Sequence, residues 1–209
     1  MEEIARNAHD LGVSSSDGDW RVGWYPPPDP PPGTPHGAAA VCVNADQVVL
    51  VSNDGRRWGL PGGRPEQGER WLDTLRREVA EEACAEVKCA RLLGFTRGIC
   101  LRGPEEGLIL VRSMWRAEVR LQPWAPRFEI AHRRLVPAQE ALRLVISAEP
   151  AVGPIYRRMF AEVFRSHPSS EAAALASRSL ALTTVPPELT GRGGLDPQVA
   201  SGPNSRKKS

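Results

Sequence analysis

One stretch constrains this chain more than any other: GRPEQGERWLDTLRREVAEEACA, residues 63–85 of 209. From Glu69 to Ala83 it has a helical period. Leu72, Leu75, Val79 and Ala83 recur at helical spacing and lay one apolar stripe along one face. At ~3.6 residues per turn, Glu78 and Glu82 lie within ~40° of each other, and Glu81 within about 60° of Glu78. Three carboxylates therefore share one arc of one helix. Like charges four residues apart cost a helix roughly 0.2–0.5 kcal/mol, so something should offset them. A divalent cation with a taste for oxygen ligands is the simplest candidate; a solvated acidic helix end is the plain alternative. Glu82 also borders the apolar stripe, where an unpaired carboxylate is costly.

The residues before the helix add to this. Leu60-Pro61-Gly62-Gly63 is too glycine-rich for an ordinary strand, and paired glycines let backbone approach a ligand closely. Glu69 stands near the helix start, where a carboxylate can accept backbone N–H groups and oppose the helix dipole. Its expected role is structural. Arg77 precedes Glu78 and can orient that carboxylate through a charge-assisted bond.

The compact part is expected over residues 36–165. Ala39–Val43 and Val48–Val51 read as a hairpin around the turn Asn44-Ala45-Asp46. Leu92–Phe95, Leu108–Val111 and Ile130–Val136 read as further strands. Pro137 and Pro154 open two short helices, over 138–144 and to about Phe164. Strands and helices interleave, so the class is α/β or α+β. Residues 1–35 read as an extension ending in PPPDPPPGTP, which holds seven of the 20 prolines and suits a polyproline-type spacer. Its large apolar residues are Trp20, Trp24 and Tyr25. Residues 166–209, rich in Ser, Ala, Pro and Gly, read as a mostly disordered tail with a short helix through EAAALASRSL.

Composition excludes some classes. With 27 Lys and Arg against 25 Asp and Glu, the net charge of +2 does not announce a nucleic-acid polymer as partner. No apolar run approaches the ~18–20 residues of a membrane span, and the first residues do not resemble a secretory signal. The four cysteines lack CxxC spacing and read as reduced, buried thiols of a cytoplasmic protein.

The 63–85 segment resembles the signature of the Nudix hydrolases. That signature runs Gly, five residues, Glu, seven residues, Arg-Glu, an aliphatic, any residue, Glu-Glu, any residue, Gly, an aliphatic. Here those positions are Gly63, Glu69, Arg77, Glu78, Val79, Glu81 and Glu82. One position departs: the second Gly is Cys84, followed only by Ala85. Because that Gly usually ends the helix in a left-handed conformation, Cys84 implies either strain or a different helix end. The resemblance covers about 130 of the 209 residues.

The resemblance implies an α/β/α sandwich with a mixed sheet, flanked by disordered Pro-rich N-terminal and Ser/Ala/Gly-rich C-terminal segments. It implies a metal-dependent hydrolase that cleaves the diphosphate bond of a nucleoside diphosphate linked to another moiety. Glu78, Glu81 and Glu82 would hold Mg²⁺ or Mn²⁺, with Glu81 sharing a second ion or acting on the water. Arg77 would position Glu78, and Glu69 would hold the loop against the helix. The general base is left open by the signature: Glu129 stands roughly where such a Glu often falls, with Glu118, Glu105 and Glu106 as other candidates. Arg57 and Trp58, with Gly62 and Gly63, are the expected substrate contacts; Arg56 and Phe95 are weaker ones, and His36 and His132 are unassigned. The substrate would be a small nucleotide-like molecule of unspecified leaving group. Many relatives dimerise, which leaves a homodimer open, but no segment specifies an interface. The alternative is a non-catalytic Nudix-like sensor or scaffold, whose mark would be a lost acidic position; none is lost.

Overall fold

The computed structural model describes residues 10–15, 18–126 and 128–165. The expected C-terminal tail and its short helix lie outside the described residues, as do residues 1–9.

Among the described residues, the core is one eight-stranded mixed sheet. Its strands are β1 (Leu11–Ser15), β2 (Gly18–Tyr25), β3 (Thr34–Asn44), β4 (Gln47–Ser52), β5 (Gly62–Gly63), β6 (Ala85–Arg102), β7 (Ile109–Leu121) and β8 (His132–Pro137). They run in the order β1-β2-β6-β7-β3-β4-β8, with the two-residue β5 paired to β3. β3 and β7 are parallel, and the other pairs are antiparallel.

Alternation along β3 decides what packs where. Ala38, Ala40 and Cys42 face the helix α1 (Trp71–Ala83), joined by Val49, Leu75, Val79 and Ala83. Ala39, Val41 and Val43 face the opposite side, where α2 (Ala138–Ala148) and α3 (Gly153–Phe164) bring Val145, Met159 and Phe160. A strand buried on both faces reads as a continuous apolar run, and this one does. The result is the expected α/β/α sandwich.

Several elements exceed the sequence reading. β6 and β7 are 18 and 13 residues long, because polar residues such as Glu86, Lys88 and Arg120 occupy exposed positions along one continuous hairpin. β1 and β2 lie inside the expected N-terminal extension. They extend the sheet, with β2 paired to β6 from Asp19↔Arg102 to Tyr25↔Phe95. The proline run after Tyr25 is irregular, as a spacer should be, and Arg97 Nε donates to Pro32 O at 2.9 Å. Three of the four cysteines are buried, but Cys89 is exposed, since it sits on the outward side of β6 next to a register shift.

Candidate active site

The loop and helix of residues 61–84 are held by one arginine. Arg77 Nε donates to Glu69 Oε1 at 2.8 Å, and its Nη2 to Glu69 Oε2 at 3.1 Å. This is a bidentate pair of the strong kind. Nη2 also donates to the carbonyl of Arg64 at 2.8 Å, and Nη1 donates to Glu78 Oε1 at 3.0 Å and Glu81 Oε2 at 3.2 Å. Arg77, Glu69 and Glu78 keep only 20, 18 and 12% of their side-chain surface exposed, so the network is partly shielded from solvent screening. These carboxylate partners raise the Arg77 pKa.

Glu69 does its work on the loop rather than on the helix end. It accepts from the backbone N–H of Glu66 at 2.9 Å and from Thr74 Oγ1 at 2.9 Å, while Arg70, the N-cap residue before α1, makes no side-chain capping bond. The expected capping of helix N–H groups is thus replaced by a brace between loop and first turn. Hydrogen bonds from Arg77, the Glu66 N–H and Thr74 pull the Glu69 carboxyl down to about 2.

Glu82 points to the glycine loop, where Gly62 N–H donates to its Oε2 at 2.9 Å. Burial pushes its carboxyl up to about 7; the Gly62 bond opposes this, and Glu78, Glu129 and Glu81 add to it. Glu78 is raised too, by burial first, against the pull of Arg77. Gly63 leaves room for the Glu78 carboxylate: a Cβ there would stand 2.2 Å from Glu78 Oε1, so any side chain would push that carboxylate away. At Gly62 a Cβ would meet the Ala38 carbonyl at 2.3 Å.

Of the residues expected from sequence, Glu69, Glu78 and Glu81 gather on Arg77, Glu82 bonds to Gly62, and Gly63 lies beside Glu78. Glu129 is exposed, and its charge reaches both Glu78 and Glu82. The three helix carboxylates do not form a closed cage: among the described residues, no three His, Cys, Asp or Glu side chains are grouped to hold a metal. Their chemistry nevertheless suits a hard cation. Glu78 Oε2, Glu81 Oε1 and Glu82 Oε1 accept no hydrogen bond from the described residues, while Arg77 and Gly62 engage the other oxygens.

Other expected residues fall elsewhere. Trp58 packs against the core on the α2–α3 side, with the Arg134 guanidinium 5.9 Å from its ring. With Arg57 and Tyr156 it lines a separate cavity of about 240 Å³. Asp54 shapes that loop by accepting the N–H groups of Arg56 and Arg57 at 2.8 and 2.9 Å. Phe95 is fully buried, 5.2 Å from Trp71 between ring centroids, and is core. Glu118 pairs with Arg116 and lines a cavity with Val43 and Lys88. His132 lies over Gly55.

Sequence reasoning missed one group and left a second unassembled, naming Trp20, His36 and Glu105 without Arg64 and Arg112. Arg133 donates to the carbonyls of Ala83, Cys84 and Gln122 at 2.8, 3.1 and 3.1 Å, and so closes the C-terminus of α1 from β8. The second group lines a cleft of about 300 Å³ that includes Trp20, His36, Arg64, Glu105 and Arg112. The alternation of Trp20, Val22 and Trp24 with polar or small residues was its available signal. Burial, with Arg112 and Arg64 nearby, holds His36 below the usual histidine value.

A model of the NUDIX domain matches residues 34–160. Among solved structures, the Bacillus subtilis pyrophosphohydrolase BsRppH superposes with a TM-score of 0.55 at 23% identity, covering 69% of this chain and 92% of that one. A NUDIX hydrolase from Nitrosomonas europaea gives 0.49 at 20% identity, over 62% of this chain and 88% of that one. The MutT protein from Bacillus halodurans gives 0.47 at 20% identity, over 59% and 80%. The first of these shows a shared fold. No curated protein matches the chain.

Proposed function

The chain belongs to the NUDIX domain family, a family of pyrophosphohydrolases that generally need divalent metal ions, and from that premise we propose that it cleaves the diphosphate bond of a nucleoside diphosphate linked to another moiety. The observation that carries this reading is the crowding of Glu78, Glu81 and Glu82 against one arginine and the Gly62-Gly63 backbone. Burial raises Glu82 to about 7, and the neighbouring carboxylates Glu78, Glu129 and Glu81 add to the rise.

Glu78, Glu81 and Glu82 would hold Mg²⁺ or Mn²⁺ through their remaining oxygens. Bound there, the ion would neutralise diphosphate charge and lower the pKa of a coordinated water. The chain's own residues do the rest. Arg77 keeps Glu78 and Glu81 on one side of the helix, and Glu69 fixes Arg77 to the loop. Gly62 and Gly63 let backbone come close to the carboxylates and to substrate. Glu129, exposed and within electrostatic reach of Glu78 and Glu82, is the proposed general base, taking the proton of the attacking water on its carboxylate. The proposal includes a cytoplasmic setting, in keeping with four free thiols.

The test is a screen of nucleoside diphosphate derivatives with Mg²⁺ and with Mn²⁺, following inorganic phosphate after a coupling phosphatase. Glu82→Gln should keep the fold and lose activity by roughly 10²–10³-fold, the scale of removing one preorganised electrostatic group. Turnover of the best substrate at the parent's rate would overturn the assignment.

A further inference from the structure

The matched family region begins at residue 34, yet the cleft described above takes one wall from β2, at residues 18–25. We propose that the β1–β2 hairpin builds a substrate-specificity cleft, in which Trp20 stacks the flat ring of a nucleotide while Arg112 and Arg64 clamp its phosphate. This rests on the hydrolase reading and assigns the part of the substrate away from the carboxylates.

Position is the first argument. Arg112 lies over Gly37: a Cβ on Gly37 would stand 2.9 Å from Arg112 Nε and 2.9 Å from the Gly63 carbonyl. Gly63 in turn lies against the Glu78 carboxylate. Arg64 is the next residue, and its carbonyl is held by Arg77. The cleft therefore adjoins the carboxylate helix through two glycines, and one extended molecule can occupy both.

Chemistry is the second. The side chains of Arg64 and Arg112 donate no hydrogen bond and enter no ion pair among the described residues, although twelve ion pairs form elsewhere. Arg64 and Arg112 share the cleft with one carboxylate, Glu105, which pairs with neither among the described residues; two guanidinium groups against one carboxylate leave a net positive charge that suits an anion, and guanidinium groups match phosphate geometry. On the β2 side the cleft is lined by Trp20 and Val22. Trp20 lies over Gly98, where an added Cβ would touch the ring at 3.3 Å, so the missing side chain gives the indole a flat bed. Val22 continues this side on β2, and Leu110 stands two residues from Arg112 on β7. A cationic pair facing an aromatic face is the arrangement that grips a base and its phosphate together.

Calorimetry on the full-length protein in divalent-free buffer tests this, with ADP and inorganic pyrophosphate as probes. Trp20→Ala should weaken ADP about tenfold, the scale of one base stack, and leave pyrophosphate within about twofold. Trp20→Phe should recover most of the loss, which separates stacking from damage to the hairpin. Arg112→Gln should weaken both probes. The proposal is overturned if the parent binds neither probe, if Trp20→Ala binds ADP like the parent, or if it loses ADP and pyrophosphate equally. The two readings fail separately. Trp20-sensitive ADP binding without any turnover sinks hydrolysis and keeps the cleft; Glu82-dependent turnover with a KM untouched by Trp20→Ala does the reverse.

Discussion

Arg77 and Arg112 flank the same glycine loop and live in opposite circumstances. Arg77 commits its whole guanidinium to Glu69, Glu78, Glu81 and the Arg64 carbonyl. Arg112 lies over Gly37 with no hydrogen bond or ion pair among the described residues. An arginine saturated by its own chain serves as scaffold. One left open beside an aromatic wall has its donors free for something brought from outside. The difference separates the part of the site that holds geometry from the part that meets a ligand.

Replacing each arginine by Gln breaks the comparison most directly. Arg77→Gln frees Glu78 and Glu81 and cuts loop from helix, so kcat should fall about 10²-fold, the scale of a 1 Å misplacement, and Tm should drop. Arg112→Gln removes no partner; its Tm should stay near the parent's, within the ~0.5 kcal/mol usual for surface changes, while KM rises. Equal losses of Tm in both variants would erase the distinction. Steady-state kinetics and thermal melts read both.

Gly63→Ala sharpens the same line with one methyl group. The new Cβ meets the mobile end of Glu78 rather than backbone, so the carboxylate swings away and the fold persists. We expect kcat to fall by about 10- to 100-fold with little change in Tm. A large Tm loss would mean that Glu78 cannot yield. Smaller still is the effect of Glu69→Gln, read by urea unfolding at several pH values. The Glu69 carboxyl sits at about 2 in the fold against an ordinary 4.5. Its contribution to stability is therefore complete above about pH 5 and lost as pH falls through 4.5 toward 2. Parent and variant should differ at neutral pH and converge near pH 2; a constant gap would assign the loss to packing instead.

How much of this was legible depends on whether the signal was local. The α1 segment was, because its apolar stripe, its carboxylates and its glycines all fall within 23 residues; Leu75, Val79 and Ala83 are fully buried, and only Leu72 stays half-exposed. The β3–β4 hairpin was legible for the same reason. The β1–β2 hairpin was not, because its partner β6 lies some 75 residues on and its outward residues are charged or small. A period of two in Trp20, Val22 and Trp24 marks a strand but does not say which edge it joins. Trp58 misled for the opposite reason: nearness to the glycine loop in sequence suggested a shared site, but the Val51–Gly59 bridge turns it toward the α2–α3 face.

Cys84 is where the signature was broken, and it carries the smallest expected effect. The residue ends α1 at φ 44° and ψ 54°, a left-handed conformation that glycine adopts without a Cβ clash. The helix end has not moved to avoid the strain: Cys84 N–H still donates to the Val79 carbonyl, and Arg133 collects the Ala83 and Cys84 carbonyls. External capping by Arg133 offsets the strain, so the cost is tolerated rather than removed. Cys84→Gly trades a conformational cost of about 1–2 kcal/mol against the burial of one small side chain. We expect a net gain of about 1 kcal/mol or less, seen as a slight rise in Tm, with kcat unchanged because Glu78 sits more than a turn earlier and Glu82, two residues before Cys84, is held separately by the Gly62 N–H. Loss of stability instead would show that the thiol's packing outweighs the strained backbone. A change in kcat would show that the helix end sets the carboxylates, and that the rigidity credited to Arg77 is shared with Arg133.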